Sequence, residues 1–326
     1  MIERERFLWI YKTMNKIREF ELKAVELFEM DKLRGSVHVY LGEEPIASTV
    51  CSLLRDSDYI TSTHRGHGHC IAKGAELDRA MAELMGKATG YCRGRGGSMH
   101  IADVTKGNLG ANAIVGAGIP IAVGGALAAK LRGSDQVCAC FFGDGASNQG
   151  TFHEGINLAA IWKLPIIFVC ENNMYGISVN VKDSTSVTDI SARSASYGIP
   201  GFSVDGNDVL AINDAMETAI ARAKAGDGPT LIECKTYRWM GHWIGDPTIY
   251  RTKEEVDEWI AKDGIKRARE VMLREKIATA QELDAIEQAA KDEADAAAEF
   301  ALNSPEPDPA QVMEDVFVEE EAVIWQ

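Results

Sequence analysis

Residues 137–176 read VCACFFGDGASNQGTFHEGINLAAIWKLPIIFVCENNMYG, and the fold class follows from this stretch. Residues 137–142 are a short unbroken apolar run that stops at Gly143-Asp144-Gly145, the pattern of a strand buried on both faces. Residues 151–162 then carry apolar side chains at helical spacing. Pro165 closes the connection, and a second run, rich in β-branched residues, covers 166–170 and stops at Glu171-Asn172-Asn173. A strand, helix, strand crossover makes its two strands parallel, so Asp144 and Asn173 both leave from carboxyl ends, the edge of an open sheet where ligands bind. The expected architecture is a three-layer α/β domain with a mostly parallel central sheet and helical N- and C-terminal extensions.

An Asp carboxylate, an Asn side-chain carbonyl and a nearby backbone carbonyl are hard oxygen donors of the kind magnesium takes, with phosphate oxygens and water completing its shell. Gly143 and Gly145 let the backbone come close to phosphates. GDG alone is also explained by a strand-to-helix turn with an Asp cap. The paired Asn residues after the second strand favour the ligand site. Together these residues resemble the thiamine-diphosphate motif, which begins with GDG and ends with NN. The resemblance implies that Asp144, Asn173 and the Tyr175 carbonyl hold Mg2+, while Gly143, Gly145 and Ala146 line the diphosphate.

Nearly the whole chain resembles the alpha subunit of the two-chain, thiamine-dependent 2-oxo acid and acetoin dehydrogenases. Residues 33–44, LRGSVHVYLGEE, are similar to the family segment that puts a histidine, here His38, near the cofactor's reactive ring. Residues 59–69 read as a strand end followed by the loop THRGHGH, punctuated by Gly66 and Gly68. Three histidines there raise the question of a metal, but neither a regular spacing on a helix face nor a paired CxxC supports zinc. By resemblance Arg65 contacts the diphosphate, a task suited to a permanently charged planar fork. His64, also assigned to the cofactor, stands where pyruvate and branched-chain enzymes have tyrosine, and HRGHGH resembles the acetoin version.

Residues 87–103, KATGYCRGRGGSMHIAD, could be taken for a phosphate loop or a nucleic-acid patch. The segment is brief, and the family resemblance makes it a packing signature near the site entrance. Within 112–130, Gly116, Gly118, Gly124 and Gly125 are costly in a helix unless something presses against it, so close packing is expected. The resemblance gives Ala113 and Val115 cofactor contacts and places the helix at subunit contacts. Residues 229–251 are a strand followed by a long loop, whose His242 contacts the diphosphate or stabilises intermediates in related enzymes. His38 and His242 are the catalytic candidates. Trp243 stands where mitochondrial pyruvate dehydrogenases carry a regulatory serine, so control by that phosphorylation is not expected.

The chain has 326 residues, 46% hydrophobic, enough for one large domain. Its expected divisions are an N-terminal helix (1–32), an α/β core (33–252), a solvated helical arm (253–303) and an acidic tail (304–326). A net charge of -15 argues against nucleic acid as a partner. Seven cysteines lie scattered without a framework, and residues 1–30 have neither a signal-peptide core nor a transit composition, which points to a reduced, cytoplasmic chain and no membrane span. The Ser- and Thr-rich residues 179–196 read as a mobile loop beside Asn173.

The resemblance further implies a separate beta subunit that supplies the glutamate engaging the aminopyrimidine. It implies an assembly of two alpha and two beta chains, and delivery of the product group to lipoamide on a transacylase. Acetoin is the first substrate choice, supported by Glu43 in LGEE and by HRGHGH, with pyruvate or a branched 2-oxo acid as the alternative. A split transketolase-like enzyme and a noncatalytic scaffold subunit are the remaining readings.

Overall fold

The structure, a computed structural model, describes residues 2–33 and 35–314. In chain order its strands are β1 (Tyr59–Thr61), β2 (Cys138–Gly143), β3 (Ile166–Asn172), β4 (Tyr175–Gly176), β5 (Val179–Asn180), β6 (Gly201–Asp205) and β7 (Thr230–Lys235). Five of them form one sheet in the order β1-β2-β3-β7-β6, every neighbouring pair parallel, while β4 and β5 make a small antiparallel pair. The helices are α1 (Arg4–Glu29), α2 (Glu44–Ser52), α3 (His67–Ala72), α4 (Leu77–Leu84), α5 (Gly118–Leu131), α6 (Gly150–Ile161), α7 (Val181–Ser184), α8 (Val209–Lys224), α9 (Lys253–Ile260), α10 (Gly264–Arg274) and α11 (Ala280–Asn303).

Strand side chains alternate between two cores, which is what makes three layers. Cys138, Cys140 and Phe142 of β2, with Ile166, Phe168 and Cys170 of β3, pack against Ile119 and Ala126 of α5 and Phe152 and Ile156 of α6. On the other face Ala139 and Phe141, with Ile167 and Val169, meet Phe20 of α1, Ile46 and Val50 of α2, and Ile212 and Met216 of α8. Both faces of the central strands are therefore buried, as their unbroken apolar sequence requires. Register matters for the site. Gly143 lies opposite Glu171 and Asn172 opposite Lys235, so β2, β3 and β7 end at nearly one level.

The structure departs from the sequence reading in four places. His67 and His69 are not in a loop but open α3 and are fully buried. Residues 253–303 are not a solvated arm: α11 turns Leu283, Ala290, Ala294, Ala297, Ala298 and Ala301 inward, and Ile265 and Met272 of α10 join Phe7, Ile10 and Met14 of α1 in a third core. The 179–196 stretch holds β5, α7 and most of a 3-10 helix, Ile190–Tyr197, which Arg193 fastens to Ser147 and, at 2.8 Å, to Asn148 Oδ1. Of the glycines expected to admit close neighbours in and before α5, a Cβ at Gly116, Gly118 and Gly125 would lie 2.8, 3.2 and 2.9 Å from its nearest neighbour, whereas nothing lies within 4 Å of a Cβ at Gly124. Residues 304–314 run back onto the glycine-rich segment, with Ala88 N–H donating to the Pro305 carbonyl at 3.0 Å and Arg95 to the Gln311 carbonyl at 2.7 Å. The acidic Glu319-Glu320-Glu321 of the tail lies outside the described residues.

Candidate functional site

A cavity of about 270 Å³ opens at the carboxyl edge, where β2, β3 and β7 end. Asp144 follows β2 directly and is 2% exposed; Asn173 follows β3 and is 8% exposed. Two buried acceptors in this cavity have no hydrogen-bond partner: Asp144 Oδ2 and Asn173 Oδ1. Buried acceptors are normally satisfied, so a pair of orphans calls for a ligand that supplies positive charge. A carboxylate and an amide carbonyl are both oxygen donors, the set Mg2+ prefers, and the residues fit such an ion. Burial pushes the Asp144 carboxyl up to about 6, against the pull of the Arg238 charge.

The third expected donor, the Tyr175 carbonyl, lies beyond a strained turn. Met174 has φ 73° and Ile177 φ 54°, both in the left-handed region that a β-branched residue strongly avoids. Arg238 holds this turn. Its Nη1 donates to the Tyr175 carbonyl at 3.3 Å and its Nη2 to the Ile177 carbonyl at 2.8 Å, while Tyr250 Oη lies 2.9 Å from Nη2. A carbonyl has two lone pairs, so this contact leaves the Tyr175 oxygen one acceptor site.

Two buried guanidinium groups flank the cavity. Arg65 is 3% exposed, donates to the carbonyls of Val39 at 2.7 Å and His242 at 3.0 Å, and has its Nε 3.6 Å from Glu43 Oε1. Glu43 in turn accepts from Asn173 Nδ2 at 3.0 Å, and burial raises its carboxyl well above the usual range despite Arg65. Burial lowers Arg65 to about 10, which leaves it charged at neutral pH.

The rings of His38, His64 and His242 meet beside these charges, with centroids 4.9–5.2 Å apart and one nitrogen of each within 4.8 Å of the others. Burial is the main cause of a fall in basicity that Arg65 deepens, to about 4 for His38 and about 3 for His242, and His64 is pushed down as well. All three imidazoles are therefore neutral near pH 7, able both to donate and to accept. The flanking guanidiniums make this end of the cavity suited to an anion such as a diphosphate and unfavourable for a second cation.

His67 and His69 serve the scaffold. His69 Nε2 meets Glu171 Oε1 at 2.8 Å and its Nδ1 meets Ser62 Oγ at 2.7 Å. His67 lies between Glu21 Oε2 at 2.9 Å and Ser98 Oγ at 2.9 Å, and Ser98 Oγ also accepts the His38 N–H at 3.1 Å. Ser98 belongs to the glycine-rich segment, and that segment is wrapped around one carboxylate. Glu83 of α4, fully buried, accepts backbone N–H groups from Cys92 (2.7 Å) and Gly94 (2.9 Å) on Oε2, and from Gly96 (2.8 Å) and Gly97 (3.0 Å) on Oε1. The stretch that could be taken for a phosphate loop has its amides occupied by the chain's own anion. Gly94 is obligatory here: φ is +75° and a Cβ would lie 2.4 Å from the Gly86 carbonyl oxygen.

The cavity wall contains His64, Arg65, Val115, Gly143, Asp144, Gly145, Ala146, Asn173, Tyr175 and His242. His38 is not part of the wall; its ring packs against those of His64 and His242, which are. Ala113 does not line it, although its neighbours Asn112 and Ile114 do. Sequence reading missed Arg238; its available signal was an arginine three positions beyond the end of a core strand at the ligand edge. It also gave Glu43 a part in substrate choice and overlooked its contacts with Asn173 and Arg65.

Comparison with known proteins adds an independent observation. The dehydrogenase E1 component family model matches residues 12–310. The chain is 52% identical over 315 residues to the alpha subunit of acetoin:2,6-dichlorophenolindophenol oxidoreductase from Bacillus subtilis, covering 96% of this chain and 94% of that one. The subunit of the same name from Cupriavidus necator is 45% identical over 318 residues, covering 97% and 96%. The pyruvate dehydrogenase E1 component subunit alpha of Porphyra purpurea is 41% identical over 325 residues, covering 98% and 94%.

Proposed function

Because this chain belongs to the dehydrogenase E1 component family, we propose that it is the alpha subunit of a thiamine-diphosphate-dependent oxidoreductase that cleaves acetoin and works only with a beta subunit. The observation that carries the reading is the pair of orphaned acceptors, Asp144 Oδ2 and Asn173 Oδ1, facing one cavity from adjacent parallel strands. In the proposal Asp144, Asn173 and the Tyr175 carbonyl hold Mg2+, with Gly143, Gly145, Ala146 and Val115 beside the cofactor. Thiamine diphosphate, when bound, supplies the carbanion chemistry that cleaves the carbon–carbon bond.

The chain's own groups do the rest. Arg65 carries the charge that meets the diphosphate, and its anchorage to Val39 and His242 fixes that charge before the ligand arrives, so little reorganisation is needed on binding. His38, His64 and His242, held neutral by burial and by Arg65, can take a proton from a substrate hydroxyl or return one to it without first losing their own. Acetoin has such a hydroxyl. The loop after β7 contributes Arg238 and His242 to the cavity wall. On α5, Ile121 and Leu131 are 43% and 78% exposed, an apolar face that a partner chain would cover.

We further propose an assembly of two alpha and two beta chains, transfer of the two-carbon unit to a lipoyl-bearing transacylase, and a cytoplasmic setting. No described helix is long and apolar enough to cross a membrane. The 41% identity to a pyruvate dehydrogenase subunit favours one second reading, a decarboxylating 2-oxo acid dehydrogenase. The test is to combine the chain with its cognate beta subunit, thiamine diphosphate and Mg2+ and to follow dye reduction with acetoin, pyruvate and branched 2-oxo acids in parallel. Preference for acetoin supports the reading, preference for a 2-oxo acid moves it to the second, and turnover by the alpha chain alone at the full rate overturns the shared site.

A further inference from the structure

We infer that Glu43 is a positioning residue for Asn173, its carboxylate fixing which end of the Asn173 amide faces the cavity; the inference rests on the metal reading of Asp144 and Asn173. An asparagine side chain is nearly symmetric in shape, and its two ends differ only in chemistry: one accepts, the other donates. For a cation the carbonyl end must face inward. Nothing on Asn173 itself guarantees that. Glu43 does, because Asn173 Nδ2 donates to Glu43 Oε1 at 3.0 Å, with Glu43 1% exposed. Oε1 is faced by two N–H donors, Asn173 Nδ2 and Arg65 Nε at 3.6 Å, so it is the acceptor oxygen of Glu43; the reversed amide would set its carbonyl oxygen against it and turn two N–H donors toward the metal position beside Asp144.

Glu43 is itself fixed. It immediately precedes α2, its backbone N–H donates to the Tyr40 carbonyl at 3.2 Å, and Arg65 Nε lies 3.6 Å from the same Oε1 that receives Asn173. Glu44 next to it accepts the Gly42 N–H at 3.0 Å and pairs with Arg18 at 2.5 Å, so the turn carrying Glu43 is tied on both sides. One carboxylate oxygen therefore links the group that meets the diphosphate, Arg65, to the group that meets the metal, Asn173. Supporting residues of this sort orient metal ligands and set their affinity without touching the ion.

The experiment uses the alpha–beta assembly with thiamine diphosphate and titrates Mn2+ in place of Mg2+, reading free Mn2+ by electron paramagnetic resonance, with near-ultraviolet circular dichroism as the check on folding. E43Q can either accept from or donate to the Asn173 amide and so no longer fixes its end; it should bind Mn2+ more weakly than wild type but better than E43L, which frees the amide altogether and should bind about 10–100-fold more weakly. N173D sets a second carboxylate against Glu43 and should bind poorly; adding E43Q, whose amide can donate to Asp, should recover about tenfold or more. A merely structural Glu43 would give no such recovery. Wild-type affinity in E43L, or no recovery in the N173D/E43Q pair, overturns the inference, and the pair decides the matter if E43L does not assemble. D144N separates the two levels. Weak binding in D144N with wild-type binding in E43L removes Glu43's role alone, and wild-type binding in D144N removes the metal reading and the inference with it.

Discussion

Glu83→Gln is a sharp test of how the glycine-rich segment is built. Wild-type Glu83 satisfies four backbone N–H groups at 2.7–3.0 Å, two on each oxygen. Glutamine keeps the shape but turns one oxygen into an NH2 group, so two of the four donors face another donor. Each unpaired, partly buried N–H costs about 1 kcal/mol at the low end of the usual range, giving roughly 2 kcal/mol for E83Q and roughly 4 kcal/mol for Glu83→Ala. Against a typical domain stability of about 5–15 kcal/mol, that is enough to open the segment locally without unfolding the chain. Hydrogen exchange followed by mass spectrometry is the assay. Peptides covering residues 92–97 should exchange about 30-fold faster in E83Q, since 1.4 kcal/mol is a factor of ten. Peptides from β2 and β3 should not change. Because Ser98 in the same segment accepts the His38 N–H, turnover with the beta subunit should fall as well. Exchange across 92–97 within threefold of wild type would refute the account of this segment as a loop clasped by one carboxylate.

Three further outcomes are expected. Arg238→Met removes the donors to the Tyr175 and Ile177 carbonyls and should weaken thiamine diphosphate binding about 100-fold, with Arg238→Lys intermediate because a lysine cannot hold two carbonyls as a fork does; equal affinity by calorimetry would count against it. His38 and His242 titrate at about 4 and about 3 in the fold against an ordinary value near 6.5, so below pH 6.5 the unfolded chain binds more protons and their contribution is lost as pH falls toward 4 and 3. Denaturation of His242→Asn across that window should show a shallower acid loss than wild type, and parallel curves would contradict the assignment. Thiamine diphosphate with Mg2+ should slow tryptic cleavage after Lys182 and Arg193 in the assembled enzyme, and unchanged cleavage would mean that residues 179–197 take no part in binding.

The central unit was legible because its information is local. An unbroken apolar run can only be a doubly covered strand here, and GDG and NN stand immediately after such runs, so sheet topology alone carries Asp144 and Asn173 to one edge. Glycine misled in THRGHGH. Gly66 and Gly68 look like turn punctuation, yet a Cβ on Gly68 would lie 2.2 Å from the Tyr40 ring, so the glycine serves close packing inside α3 and the neighbouring histidines are buried in salt-bridge geometry. Residues 253–303 read as solvated because alanine gives a weak apolar stripe. In the fold those small faces let α11 settle against α1 and α4. The contacts of Glu43 and Arg238 were not legible for another reason: their partners lie 130 and 63 positions away, and a long polar side chain shows no periodicity that would announce what it touches.

The strained turn at Met174 and Ile177 also sets an order in time. Left-handed backbone at two side-chain-bearing residues costs about 1–3 kcal/mol each and persists only while something holds it. The holder, Arg238, is made 61 residues after Ile177 and is placed only once β7 has joined the sheet. As the chain emerges from the ribosome, β2, α6 and β3 can therefore pair long before the Tyr175 carbonyl turns toward the cavity. Shape comes early to this protein and affinity late, so a partly synthesised chain with most of its sheet in place would still not retain the cofactor.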